Sequence, residues 1–198
     1  IDVGSNIGST SLFLAKNFKD SKIISIEPTF YAYNKFLKNL ELNPVLKKQI
    51  IPVNNLVSSK QINREIYSSW KVTKSNSEKI HNLHLGISKE YNYSHIKLDD
   101  LIANYKFNSI DFIKIDVDGN ELFVLQSAME CLKKYKPIIF IELAPYLYKE
   151  NGYSFDEIFN LLNIFEYQFY SDDLKKINKI SDYVNNIKKG SSKNIYLI

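Results

Sequence analysis

The chain opens on Ile1-Asp2-Val3-Gly4-Ser5-Asn6-Ile7-Gly8-Ser9-Thr10-Ser11, and no other stretch restricts its fold as tightly. Two apolar residues flanking an acid, glycines four apart and then an amphipathic run predict a buried strand, a tight turn and a helix N-terminus. Gly4 and Gly8 let backbone approach a bound molecule without a Cβ in the way. A helix opening near Ser9 offers it unpaired N–H groups.

A dinucleotide turn needs G-x-G-x-x-G, so that a pyrophosphate can rest on the helix. Here Asn6 stands in place of the middle glycine, and Asp2 would repel phosphate and attract an ammonium. Glu27 follows at about the 20-residue distance expected of an acid that grips a ribose from the end of the second strand. An adenosine with an ammonium-bearing tail meets both conditions, and S-adenosylmethionine is such a molecule. The plainer alternative is that the glycines only make a turn and Glu27 only caps a strand.

The 198 residues are read as one domain, residues 1–198, with 44% hydrophobic and 24% charged residues, an ordinary globular balance. The net charge of +4 lies in short lysine pairs such as Lys47-Lys48, Lys133-Lys134 and Lys188-Lys189, read as solvated faces and helix ends. No nucleic-acid partner is expected. Cys131 is the only cysteine, so no internal disulfide forms, and its apolar setting predicts a buried structural thiol. No run approaches the ~18 apolar residues of a membrane span, and a cytoplasmic location is expected. The chain starts at Ile1 inside a predicted strand, which reads as a trimmed N-terminus.

A helix is predicted over residues 9–18, capped by Ser9 or Thr10, with Leu12, Phe13 and Ala15 on its inner face. A strand over 22–26 ends at Glu27-Pro28, where proline forces a sharp exit and presents the carboxylate at the carboxyl edge, where open α/β sheets bind ligands. A helix over 29–42 sets Tyr33, Phe36, Leu37 and Leu40 on one face as core, and a strand over 49–53 completes a β-α-β-α-β alternation. Residues 54–94 break that rhythm and read as an irregular or antiparallel insertion, with short strands near 65–70 and 83–87 and a site for a substrate lid. His81 and His84 are three apart but lack a third ligand, so surface histidines are the favoured reading.

Asp99 is expected to cap a short helix running to Tyr105. A second informative stretch follows: Ile113-Lys114-Ile115-Asp116-Val117-Asp118-Gly119-Asn120-Glu121, a buried strand that ends in acids and a glycine before a helix through Leu122, Leu125, Ala128 and Met129. Asp116 and Asp118 should meet the methionine end of the ligand or the acceptor. They could instead hold Mg²⁺, or Asp118 could cap the helix with Glu121 as its partner. The strand over 137–143 carries Glu142 near its end, for an acid-base role, substrate contact or an ion pair. Ser154 and Glu157 form a capping-box pattern for a helix over 154–165, and strands over 166–170 and 194–198 are expected to close an antiparallel hairpin.

Asp2-Val3-Gly4-Ser5-Asn6-Ile7-Gly8, Glu27-Pro28, the 96–101 segment, Asp116-Val117-Asp118-Gly119-Asn120-Glu121 and Ile141-Glu142-Leu143, in this order, resemble the FkbM family of S-adenosylmethionine-dependent methyltransferases. The resemblance implies an α/β, Rossmann-like class I methyltransferase fold, with a mostly parallel seven-stranded sheet, a C-terminal antiparallel hairpin and helices on both faces. It implies O-methylation of a hydroxyl on a sugar, glycan or secondary metabolite, with S-adenosylmethionine as cofactor. Asp2, Gly4, Ser5, Asn6 and Gly8 would then line its methionine part, with Asp116 nearby, while Glu27 and Pro28 would hold the ribose. The family carries Asp-x-Glu-Gly where this chain has Asp116-Val117-Asp118-Gly119.

Methyl transfer to a hydroxyl is an in-line displacement that needs the acceptor aligned and its proton taken. Asp116, then Glu142, then His95 are the candidate bases, Asp118 and Glu142 the candidate acceptor contacts. Mg²⁺ on Asp116 and Asp118 is the alternative route to an acidified hydroxyl. A catalytically silent binding module and an RNA or protein methyltransferase are the competing functions.

Overall fold

Strand β1 (Asp2–Val3) is short because Gly4 turns out of it, and both its residues are buried. The computed structural model describes residues 1–62, 66–68, 87–89 and 93–198. These divide into one unit of Asp2–Leu56 with Gln61–His95, and another of Ile1, Val57–Lys60 and Ile96–Ile198.

In the first unit β1 leads to α1 (Ser9–Asn17), β2 (Ile23–Ile26), α2 (Phe30–Glu41), α3 (Pro44–Lys47) and β3 (Ile50–Val53). β1 pairs parallel with β2, Asp2 opposite Ser25, and β2 pairs parallel with β3, Ile23 opposite Ile50. Every residue of β2 is buried, as a strand covered on both faces requires. Ala15, Ile23, Phe36, Leu40 and Ile50 form a core, with Leu12, Leu14, Tyr33 and Leu37 packed against it, so the α2 face read from periodicity is the buried one. On α1 Leu12 and Ala15 face the core as expected, and Phe13 does not. Phe13 is 63% exposed while Leu12 and Leu14 flank the core. Neither Ser9 nor Thr10 caps α1; its N-cap is Gly8, left-handed at φ 82°.

Beyond β3, β4 (Leu56–Val57) and β7 (His95–Ile96) make a two-stranded sheet. β5 (Ile66–Ser68) and β6 (Ile87–Lys89) pair antiparallel, Ile66 opposite Lys89, within the ends of the insertion read as irregular or antiparallel. His81, His84 and the polar 74–80 stretch lie outside the described residues.

The second unit runs α4 (Leu98–Ala103), β8 (Phe112–Ile115), α5 (Glu121–Gln126), α6 (Met129–Tyr135), β9 (Ile138–Leu143), α7 (Pro145–Tyr148), α8 (Phe155–Ile164), β10 (Phe169–Ser171), α9 (Ile180–Asn185) and β11 (Lys193–Leu197). β8 and β9 are parallel, Ile115 opposite Ile141, whereas β11 runs antiparallel to both β9 and β10. The main sheet thus has seven strands, β3-β2-β1 in the first unit and β8-β9-β11-β10 in the second. It is mostly parallel and ends in the antiparallel C-terminal hairpin.

The single helix read across Leu122 to Met129 is two. Ser127 is buried and its Oγ donates to Val124 O at 2.7 Å while accepting the Leu98 N–H at 3.2 Å, competing with helix continuation. Asp99 then restarts the chain as α6, its carboxylate accepting the Glu130 and Cys131 N–H groups at 2.9 and 2.8 Å. Asp99 therefore caps α6 and not its own helix, which begins after Lys97. The Ser154–Glu157 capping box of α8 forms as read. Among the described residues no helix is long and apolar enough to cross a membrane.

Candidate active site

The loop after β1 holds three left-handed residues, Gly4 (φ 81°), Asn6 (φ 50°) and Gly8 (φ 82°). Asparagine is among the few residues besides glycine that enter this region at low cost. The Gly4 and Ser5 N–H groups both donate to Ile26 O at 2.9 Å, and the Gly8 N–H donates to Ser5 O at 2.8 Å, so the loop is laid against the end of β2. Asp2 is buried, and its Oδ2 accepts a 2.6 Å bond from the buried Ser11 Oγ, joining strand to helix. The space a Gly8 Cβ would need is filled by the Phe36 ring, so Gly8 serves close packing of α2 on the helix start.

Glu27 is buried at the end of β2. Its Oε2 accepts the Asn6 N–H at 2.9 Å, and its Oε1 accepts the Thr29 N–H at 2.9 Å and the Thr29 hydroxyl. Asn54, just after β3, donates to Glu27 O at 2.8 Å and Pro28 O at 3.1 Å, which holds the exit of β2 against the exit of β3. Thr29 and Asn54 are thus parts of this site that motif reading passed over. Threonine two residues beyond an acid at a helix N-terminus was the available signal for the first; none existed for the second, since its partner is 27 residues away. The Ser5 Oγ and Asn6 Oδ1 atoms are buried and find no hydrogen-bond partner among the described residues. Leaving such a group unmet costs about 1–3 kcal/mol, a deficit that a polar ligand in the loop would remove. The donor and acceptor set of this loop suits an amino-acid and ribose ligand.

In the second unit, the β8–β9 register brings Asp116 and Glu142 side by side, and their carboxyl groups hydrogen-bond to each other. Burial first, then the Asp116 charge, pushes the Glu142 carboxyl up to about 7, against the lowering effect of Ser192, whose Oγ donates to Glu142 Oε1. The buried Lys114 places Nζ 3.2 Å from Asp116. Tyr146 is raised by burial and then by Asp118, Glu142, Glu121 and Glu150. Asp118 (φ 47°) and Gly119 (φ 86°) are consecutive left-handed residues in a turn closed by the Asn120 N–H on Val117 O at 3.2 Å. Asp118 does not cap the helix, whose N-cap is Asn120. His95 lies in the first unit, half-buried, its Nε2 accepting the Ile62 N–H at 3.0 Å.

The expected Mg²⁺ pair does not have the surroundings a hard cation needs. Among the described residues no group of three or more His, Cys, Asp or Glu side chains is arranged to hold a metal, and beside Asp116 the counter-charge is the Lys114 ammonium.

A parallel sheet with an antiparallel last hairpin, a glycine-bent first loop and an acid at the end of the second strand define the class I methyltransferase architecture. Within that class the methyltransferase FkbM domain profile matches residues 2–169, and the chain belongs to that family. Among solved structures it resembles the methyltransferase FkbM from Methylobacillus flagellatus KT, with a TM-score of 0.58 and 16% identity, over 100% of this chain and 42% of that one. It also matches the precorrin-6y C5,15-methyltransferase from Geobacter metallireducens GS-15 (TM-score 0.49, 9% identity, 99% of this chain and 75% of that one). A third match is a SAM dependent methyltransferase from Aquifex aeolicus (0.49, 12%, 99% and 79%). The chain spans less than half the length of the first of these. At such identities the likeness is one of fold. No curated protein matches the chain.

Proposed function

We propose that the chain is an S-adenosylmethionine-dependent methyltransferase that methylates a hydroxyl on a sugar, glycan or secondary metabolite. The observation that carries this reading is the loop after β1, where Asn6 gives its N–H to Glu27 while its own Oδ1 and the Ser5 Oγ are buried without partners. Asp2, Gly4, Ser5, Asn6 and Gly8 would hold the methionine part of the cofactor and Glu27 with Pro28 the ribose, and the family resemblance adds Asp116 as a cofactor contact. When bound, the cofactor supplies a methyl group activated by a positive sulfur.

The chain's own task is the acceptor. A hydroxyl becomes a nucleophile as it gives up its proton, and the Asp116–Glu142 pair is suited to receive it, because a carboxyl lifted to about 7 exchanges protons near neutrality. Lys114 balances part of the charge on Asp116. Asp118, Tyr146 and Glu142 together favour an uncharged, hydroxyl-rich acceptor over a phosphorylated or carboxylated one, since like charges at close range oppose binding. His95 ranks below the pair as a base, with its Nε2 already engaged by the Ile62 N–H.

The test is calorimetric titration with S-adenosylmethionine and S-adenosylhomocysteine, using wild type, Asp2→Asn and Glu27→Ala, with circular dichroism to verify folding. Saturable binding that both substitutions abolish is expected, followed by methyl transfer to hydroxylated acceptors that chelation with EDTA leaves unchanged. A folded wild type that binds neither compound overturns the reading, and binding without turnover on any hydroxylated acceptor would identify a silent module.

A further inference from the structure

Glu121 has no place in the reading above, yet it is the most deeply buried acid of the second unit, with 0% exposure. Its Oε1 accepts the Gly119 N–H at 3.0 Å. The carbonyl of the same glycine accepts the Tyr153 hydroxyl at 2.8 Å and the Asn151 amide. Both polar groups of the Gly119 residue are therefore held by buried side chains from outside the turn. A Cβ on Gly119 would sit 2.6 Å from Leu147 Cβ, so the turn is also packed directly onto α7. What those contacts hold is a costly geometry, because Asp118 is a non-glycine residue at φ 47°.

The hydrogen count around Tyr153 favours a neutral Glu121. A tyrosine hydroxyl has one hydrogen, and Tyr153 gives it to Gly119 O. The same oxygen lies 3.2 Å from Glu121 Oε2, the longer of its two contacts; with the Tyr153 hydrogen on Gly119 O, a proton on the glutamate completes this second bond. The surroundings agree. Burial pushes Glu121 up to about 8 against the lowering effect of the Glu121 and Gly119 N–H groups, and Asp118 in the turn and Glu142 on β9 add to the rise. From α7 and the loop after it, Tyr146, Tyr148 and Tyr153 face it as neutral phenols. From α8, the Glu157 carboxylate is turned back to the Ser154 N–H. The Lys60 ammonium lies over the Phe123 ring of α5, 4.1 Å from its centroid.

We propose that Glu121 is a positioning residue that works as a neutral acid, locking the Val117–Asn120 turn through Gly119 and Tyr153 so that Asp116 and Asp118 are presented in one fixed geometry. Its ionisation draws the Tyr153 hydrogen from Gly119 O to the carboxylate, which removes one hold on the turn and releases it. The consequence for ligand binding rests on the methyltransferase reading; the protonation of Glu121 does not.

Two measurements on the whole chain separate these parts. Carbon-13 NMR of labelled glutamate carboxyls should show two side chains still largely protonated at pH 6.5, Glu121 and Glu142, and one of the two signals should vanish in Glu121→Gln. Calorimetry with S-adenosylhomocysteine from pH 6 to 9 should then show wild-type affinity falling roughly tenfold over the last two units, as one linked proton allows. Glu121→Gln, which keeps a donor and no charge, should bind within about twofold of wild type at pH 7 and lose most of that fall, keeping only the part Glu142 contributes. Glu121→Ala should bind weakly throughout. Glu142 titrates in both wild type and Glu121→Gln, so the difference between them belongs to Glu121. A set of protonated glutamate carboxyls at pH 6.5 that Glu121→Gln leaves unchanged, or Glu121→Gln as weak as Glu121→Ala at pH 7, overturns the proposal. If the protonated carboxyl is present but no variant binds S-adenosylhomocysteine, the cofactor reading fails and takes the positioning role with it.

Discussion

Glu27 shows how one side chain can hold a sharp turn of the chain. Its carboxylate accepts from Asn6 N–H, Thr29 N–H and the Thr29 hydroxyl, so Glu27→Gln replaces one charged acceptor oxygen with an amide donor facing a donor. The expected loss is about 2 kcal/mol in urea unfolding, since bonds to charged groups are worth more than neutral ones. Gly8→Ala should cost about 3 kcal/mol, from left-handed strain at φ 82° together with a methyl driven into the Phe36 ring. Combining it with Phe36→Leu should cost less than the two separate changes, because the two sites share one volume. For Glu121 the sign follows from proton binding. Between its ordinary value of 4.5 and about 8 the native chain holds a proton that the unfolded chain has lost. Stability from this group is therefore greatest near pH 4.5 and declines by up to about 1.4 kcal/mol per unit as pH rises to 8. Melting curves across that window should flatten in Glu121→Gln by Glu121's share, leaving the smaller slope of Glu142, which is raised to about 7 and acts in the same direction.

At the level of elements, periodicity located most helices and strands, and their ends were decided by partners far along the chain. The 9–17 helix was legible, yet its start is a left-handed glycine and not a serine cap. The 154–164 helix was legible to its cap, because a capping box is local chemistry between residues three apart. Asp99 looked like a cap for the next four residues and instead caps α6, some 30 residues on. Asp99→Ala should therefore unfold α6 preferentially, seen as lost amide protection at Glu130 and Cys131 with about 1–2 kcal/mol of global destabilisation, while α4 keeps its protection. A matching loss in α4 would return Asp99 to a cap of its own helix.

For the molecule as a whole, the single cysteine offers a probe of opening. Burial, with the Asp99 carboxylate adding to it, pushes the Cys131 thiol up to about 12, and the residue lies on the buried face of α6. In native buffer at pH 8 a disulfide reagent should label it only as fast as the protein opens, and at the ordinary thiol rate in denaturant. Fast labelling of the native chain would show that this part of the fold is open.

The alternation of elements, the parallel sheet with its closing hairpin, and the loop of Gly4, Asn6 and Gly8 with Glu27 were all readable from residue type and spacing, because strand and helix periods and turn chemistry act over a few residues. The pairing of Asp116 with Glu142, the counter-charge from Lys114 beside Asp116, the grip of Thr29 and Asn54 around Glu27, and the buried Glu121 behind Gly119 were not readable. Those depend on strand register, on burial and on which side chains folding brings within 3 Å, and burial and hydrogen bonding set where a proton resides.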